Sequence, residues 1–268
     1  MERVKKIGAV SYLNTRPLIH GLDRLLPDFD LELDLPSRLA DRLRKHEFTA
    51  ALIPVIELFA GQPYKIVSNA CIACEGPVWS VKLLSRVAPE KIRSVALDEG
   101  SRTSVCLARL LLRHHWQIDP TESVLPIDAD WKQSPADAVL IIGDRAMHDH
   151  SGEFEHQWDL GEQWLEWTGL PFVFAVWAAH ASSPLGRLDA AFSAARDAGV
   201  ADADKIAHES VKQFGLTESQ CQMYLKKHLQ FHLGERQRAG LDLFAKMATE
   251  NGFINQTAKP EYHDCSIA

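Results

Sequence analysis

Ile7-Gly8-Ala9-Val10-Ser11-Tyr12-Leu13-Asn14-Thr15-Arg16-Pro17-Leu18 joins a short apolar run to a polar turn. Behind it, Leu18, Ile19, Leu22, Leu25 and Leu26 recur at helical spacing. The run Ile7–Val10 predicts a first β-strand, and the spacing behind the turn predicts a helix. Pro17 suits a first helical turn, where its missing N–H leaves no bond unmade. A polar turn between the carboxyl end of a strand and a helix is where open α/β sheets bind ligands. Ser11, Tyr12, Asn14 and Thr15 supply hydrogen-bonding side chains there. The plain alternative is a capped β→α connection.

Outward from that turn the pattern repeats. Leu31-Glu32-Leu33-Asp34-Leu35 alternates as a strand and stops at Pro36. Leu39, Ala40 and Leu43 then form one helical stripe, and Thr49–Glu57 reads as a buried strand broken by Pro54. The order β-α-β-α-β begins a doubly wound parallel sheet. Lys65–Ala73 and Val78–Leu84 follow as strand-like runs. A second α/β unit starts at Ile92–Asp98, passes through Gly100-Ser101-Arg102-Thr103-Ser104 into a helix, and includes strands at Ala138–Ile142 and Phe172–Ala178. The last third is helical, with Ser183-Pro184 and Gly199 bounding one helix and Thr217-Glu218-Ser219-Gln220 forming a capping box. This order predicts an α/β protein with a two-lobed, type II periplasmic-binding-protein-like fold, an interlobe cleft and C-terminal helices. Lobe one is expected to be residues 1–85 with 175–268, and lobe two the inserted residues 86–174.

Composition narrows the function. Hydrophobic residues make up 46% and charged residues 24%, as in an ordinary globular protein. A net charge of −7 argues against a nucleic-acid partner, which calls for a basic face. No apolar run is long enough to span a bilayer. The basic start followed by Ile7–Leu13 is interrupted by Asn14 and Arg16 without a small-residue cleavage site, so a cytoplasmic, unprocessed chain is expected. There are five cysteines, and Cys71 and Cys74 lie three apart in a strand-like run, pointing to opposite faces. They are expected to be buried reduced thiols. The His148-Asp149-His150 triplet has no accompanying metal motif, and no metal is expected.

Three turns are expected to meet in the cleft, the first being Ser11–Thr15. The second, Ser101-Arg102-Thr103-Ser104, opens a helix, where free N–H groups, hydroxyls, a positive dipole end and Arg102 suit a carboxylate or phosphate. A serine cap beside a surface arginine is the plain alternative. The third is Gly76-Pro77-Val78-Trp79-Ser80-Val81, where one lobe hands over to the other. Ser80 has no nearby histidine or acid for a triad, so a hydrogen-bonding role is expected. Gly143-Asp144 ends a strand, where an acid can be base, orienter or cap. No Gly-rich phosphate loop is present, so a nucleotide is not expected. Trp79, Trp164 and Trp177 read as core aromatics.

Taken together, eight stretches resemble the chorismate dehydratase family of the futalosine route to menaquinone. They are SYLNTRPL (11–18), PSRLADRL (36–43), AALIPVIE (50–57), GPVWSVKLLSR (76–86), VALDEGSRTSVCLARLLL (95–112), DAVLIIGDRAM (137–147), DLGEQWLEWTGLPFVFAVW (159–177) and YLKKHLQFHLGERQRAGLDLF (224–244). The resemblance covers nearly the whole chain in order. It implies the same two-lobed fold and a hydro-lyase that needs no cofactor or metal. In that reaction chorismate loses water to give 3-[(1-carboxyvinyl)oxy]benzoate. Removing the ring proton delocalises charge into the ring carboxylate, and expelling the neighbouring hydroxyl makes the ring aromatic.

By the resemblance, Asn14 and Ser80 are the catalytic residues, hydrogen-bonding the departing hydroxyl and the nearby carboxylate. Ser11, Ser101, Arg102, Thr103, Ser104, Gly143 and Asp144 would bind the substrate. Asp144 stands by position as one candidate base. The favoured expectation is that the enolpyruvyl carboxylate of the substrate takes the proton, because an enzyme carboxylate would oppose a dianion. Two rival readings share the cleft: a small-anion receptor without catalysis, and the sibling dihydroxynaphthoate-forming lyase, which uses a catalytic histidine. The expected partner is a small molecule, with no nucleic acid and no membrane. The oligomeric state stays open.

Overall fold

The computed structural model describes residues 5–148, 150, 152, 154–254 and 261–263. The strands, in chain order, are β1 Lys5–Val10, β2 Phe29–Asp34, β3 Ala50–Pro54, β4 Tyr64–Cys74, β5 Val81–Ser85 and β6 Ser94–Asp98. They continue as β7 Thr121–Leu125, β8 Ala138–Ile142, β9 His156–Asp159, β10 Phe172–His180, β11 Gln230–His232 and β12 Glu261–Tyr262. The α-helices are α1 Leu22–Leu25, α2 Pro36–Arg44, α3 Arg102–Leu110, α4 Leu160–Thr168, α5 Leu188–Ala201, α6 Ala203–Phe214, α7 Glu218–Met223 and α8 Glu235–Glu250. None of these helices is long and apolar enough to cross a membrane.

Two sheets divide the strands, as the element order predicts. The larger runs β11-β4-β10-β3-β1-β2 with β12 also on β4, and the smaller runs β7-β6-β8-β5-β9. In the smaller sheet one strand runs against its neighbours, and in the larger two do, β10 and the edge strand β11, which is antiparallel to β4. β10 is antiparallel to β3 and β4, and β5 is antiparallel to β8 and β9. The parallel strands β1, β3, β4, β6, β8 and β9 end toward the cleft, so a strand arriving from the other lobe must enter at that end and run backwards. β5 and β10 are those two arriving strands. β5 therefore belongs to the smaller sheet, although the expected boundary at residue 85 put it in lobe one. The start of β10, Phe172–Phe174, likewise belongs to the larger sheet. An apolar pattern reports that a strand is buried but not which sheet pairs with it.

Local corrections have similar causes. The segment behind Ser11–Tyr12 is a tight 3-10 turn, Leu13–Ile19, followed by the four-residue α1. Gly199 lies inside α5 rather than beyond its end, because a Cβ there would meet the Pro17 carbonyl oxygen at 2.1 Å. The glycine lets α5 rest directly on the backbone of that turn. α5 begins at Leu188, after the Ser183-Pro184 turn. The Thr217–Gln220 capping box forms as expected. Cys71 and Cys74 are fully buried free thiols on β4, and burial pushes Cys71 up to about 12. Trp164 and Trp177 are wholly buried in the core.

Candidate active site

A cavity of about 50 Å³ lies between the sheets, at the carboxyl ends of their parallel strands. Its polar lining consists of Tyr12, Asn14, Ser80, Ser101 and Ser104, with Gly143 beside them. The three turns singled out in the sequence thus meet at one place. Apolar side chains from both lobes, including Ile72, Val78, Ile142 and Phe174, complete the wall. Among the described residues, no aspartate, glutamate, histidine, lysine or arginine lines it. A wider groove of about 890 Å³ runs past Lys6, Arg42 and Arg187, but those cations are paired with Glu32, Glu47 and Asp28. Volume alone does not mark the site.

Each wall is fixed by its backbone. The Leu13 N–H donates to the Asp144 carboxylate at 3.2 Å, which ties the first turn to the other lobe. Gly143 has φ +74, and a Cβ there would meet the Tyr12 ring at 2.9 Å, so the aromatic ring packs flat against the turn. Burial, followed by the charge of Asp98, raises the Tyr12 phenol well above its ordinary value, so it stays protonated. Asp144 does not line the cavity. Burial pushes it up to about 6, while the Leu13 N–H and Arg16 pull the other way.

Ser80 is almost fully buried and accepts a hydrogen bond from the Tyr224 hydroxyl at 2.7 Å. The Asn14 side chain opposes the rise that burial gives the same phenol. Before Ser80, Trp79 has φ +66, a conformation rare for a bulky residue. Asp159 explains it. Its carboxylate accepts the N–H groups of Val78 at 2.8 Å and Trp79 at 2.5 Å from one crossing, and of Gly161 at 2.9 Å and Glu162 at 3.2 Å from the other. One side chain therefore pins both connections between the lobes and turns Ser80 inward.

The helix start at α3 splits its residues by direction. Ser101 caps it, accepting from the Ser104 N–H and donating to the Ser104 hydroxyl at 2.8 Å, and both serines line the cavity. Arg102 and Thr103 turn elsewhere. Arg102 meets Glu57 at 2.9 Å and Asp41 at 2.9 and 3.0 Å, and the Thr103 hydroxyl accepts the Ile56 N–H at 3.3 Å. Ser11 continues the β1–β2 ladder, donating its N–H to the Asp34 carbonyl, and is absent from the lining. Of the His148–His150 triplet, Asp149 lies outside the described residues.

Sequence reasoning passed over Tyr224 and Asp159, and it named Tyr12 among the hydrogen-bonding side chains of the first turn without giving it a site role. Tyr224 and Asp159 are far from their partners in the chain, at separations of 144 and 81 residues, and carry no motif of their own. Tyr12 sat in plain view within the opening turn.

The fold and cleft define a two-lobed protein of the periplasmic-binding-protein class. Solved structures agree on the fold: a protein of Archaeoglobus fulgidus (TM-score 0.75, 15% identity, 95% of this chain and 100% of that one) and the periplasmic aliphatic sulphonate binding protein of Escherichia coli (0.62, 14%, 96% of each). At such identities the likeness speaks of fold alone. The sequence decides the family. The pattern of a family described as menaquinone biosynthesis matches residues 5–250. A chorismate dehydratase of Thermus thermophilus is 30% identical over 90% of this chain and 93% of its own. Another, of Campylobacter jejuni, is 32% identical over 63% of this chain and 64% of its own. The chain belongs to the menaquinone-biosynthesis family that includes these chorismate dehydratases.

Proposed function

We propose that the protein is a hydro-lyase that converts chorismate to 3-[(1-carboxyvinyl)oxy]benzoate, supplying the futalosine route to menaquinone. Family membership and the two dehydratase relatives support the reaction class. The observation that carries the mechanism is the cavity lining: its polar groups are hydroxyls and one amide, with no group that is a base at neutral pH. Asn14 and Ser80 hold the ring near the hydroxyl that departs, and the start of α3 receives a carboxylate beside Ser101 and Ser104, which line the cavity. The elimination is redox-neutral. Electrons of the ring C–H bond enter the conjugated carboxylate and return to break the C–O bond. The enolpyruvyl carboxylate of the substrate takes the ring proton, which leaves with the hydroxyl as water. The protein's share is orientation, dryness and hydrogen bonds to developing charge.

The cavity is far smaller than the roughly 300–1,000 Å³ of small-molecule sites, so the lobes part to admit chorismate and close over it. The test is direct: purified protein and chorismate, with the aromatic product followed by absorbance and mass. Binding without turnover supports a receptor instead. Asp144→Asn separates the two bases. Turnover within about threefold of wild type is expected if the substrate carboxylate takes the proton, whereas loss by orders of magnitude makes Asp144 the base.

A further inference from the structure

We infer that Tyr224 is a positioning residue for this elimination, its hydroxyl holding the Ser80 proton in the direction of the cavity. The inference rests on the dehydratase reading above. A serine hydroxyl has one proton and two acceptor sites, and its proton swings freely unless a neighbour fixes it. Here the Tyr224 hydroxyl donates to Ser80 Oγ at 2.7 Å. Its single proton is spent on Ser80, and the Asn14 carbonyl oxygen accepts from the Thr15 hydroxyl at 3.3 Å. Ser80 Oγ is thereby occupied as an acceptor on the Tyr224 side. Its own proton is left for the cavity that Ser80 lines, where the departing hydroxyl would lie.

The surroundings hold the phenol to that role. Tyr224 is wholly buried, and the Trp79 ring meets its edge at 6.0 Å. Trp79 is in turn set by its positive φ and by the Asp159 carboxylate on its N–H. At Tyr224, α7 gives way to a wider turn, with the Leu229 N–H reaching back five residues to the Tyr224 carbonyl at 3.2 Å. Such one-residue expansions of a helix are frequent at functional sites. Burial keeps the phenol protonated far above neutral pH, so it acts as a donor and not as a base. A tyrosine that merely fills the core would need none of these alignments to reach Ser80.

Steady-state dehydration of chorismate by wild type, Y224F, S80A and the double variant tests this. Y224F removes one oxygen and should lower kcat about tenfold or more, with KM within about twofold. In the S80A background the same change should do almost nothing, within about twofold, because the proton it steers is gone. A Y224F variant with wild-type kcat overturns the inference, as do losses that multiply in the double variant. If Y224F melts below the assay temperature, 3-fluorotyrosine at position 224 keeps the shape and strengthens the donor. A kcat change of about threefold at constant KM is then expected, and an unchanged kcat overturns the inference. A wild-type protein that leaves chorismate unchanged removes the dehydratase reading and this inference with it, an outcome distinct from active wild type with an equally active Y224F.

Discussion

Two polar clusters flank the cleft, and they are built on opposite terms. Asn14, Ser80 and Tyr224 carry no charge and sit largely out of water, and the Tyr224 hydroxyl donates to Ser80. Arg102, Asp41 and Glu57 form ion pairs that span the two lobes, and leave 38%, 34% and 12% of their side chains exposed. Desolvation explains the division. A buried ion loses several kcal/mol of hydration, whereas a buried hydroxyl with hydrogen-bond partners loses little. Groups that must act in a dry site are neutral, and the charges lie where water still reaches them. Helix α3 contains both solutions within its first turn. Ser101 and Ser104, three apart, share the face toward the cavity, while Arg102 and Thr103 between them reach the other lobe. The neutral cluster faces the cavity, and the charged cluster ties the lobes together.

The largest effect should come from the neutral cluster. Ser80→Ala is expected to lower kcat by about 10²–10³, as loss of a single donor to developing charge does elsewhere. The fold should survive, with stability reduced by about 1–3 kcal/mol because the Tyr224 hydroxyl loses its acceptor. Steady-state kinetics beside thermal melting separates the two effects. A variant with wild-type kcat and a lower Tm would reduce the cluster to core packing and erase the contrast.

Asp144 belongs to neither cluster, a buried carboxyl tied to the Leu13 N–H and in no ion pair among the described residues, and its effect on stability should be next in size. Its folded pKa of about 6 exceeds the ordinary carboxylate value because burial disfavours ionisation. The unfolded chain therefore gives up this proton at lower pH than the folded chain does. The stabilisation from binding it is full below about pH 4 and is lost as pH rises through about 6. At neutral pH the folded protein carries an ionisation penalty on the order of 2 kcal/mol. Asp144→Asn can still accept the Leu13 N–H and has nothing to ionise. Its Tm should exceed that of wild type at pH 7–8, and the difference should vanish near pH 4. Equal melting at every pH would mean that the carboxylate is better solvated than its surroundings indicate.

The neutral cluster was half legible in the sequence. Asn14 and Ser80 sit in turns that follow or join strands, so strand order and the family pattern brought them to the cleft. Tyr224 could not be read that way, because helical spacing marks it as one more buried aromatic and its partner is 144 residues distant. The sequence assigns Asp159 no role, and the structure shows it capping α4. Its second pair of bonds, to Val78 and Trp79, depends on how the two crossings lie side by side. The charged cluster was legible only as composition. Arg102 after Ser101 suggested an anion site, yet the direction of a side chain at a helix start depends on what packs beside it, here Asp41 and Glu57. The fold itself was clear from element order, except at the crossings, where a strand's pattern does not name its sheet.

Arg102 gives the smallest effect and the sharpest use of the contrast. Its bonds to Asp41 and Glu57 join α3 in one lobe to α2 and the turn after β3 in the other. Part-exposed ion pairs contribute roughly 0.2–1 kcal/mol each, so the pair of links is worth about 1 kcal/mol toward the closed arrangement. Removing them with Arg102→Met should raise the KM for chorismate about fivefold and leave kcat nearly unchanged, because the groups around the reacting atoms are untouched. Salt should mimic the change. At 1 M ionic strength the screening length is about 3 Å, so the wild-type KM should move toward that of the variant while the variant's barely moves. A guanidinium that gripped a substrate carboxylate inside the cavity would behave differently. Its loss would leave a charge unpaired in a dry site, and KM would rise by about a hundredfold or more, with little rescue from salt. The size of the KM change and its salt dependence, measured together, therefore decide whether Arg102 serves the lobes or the ligand.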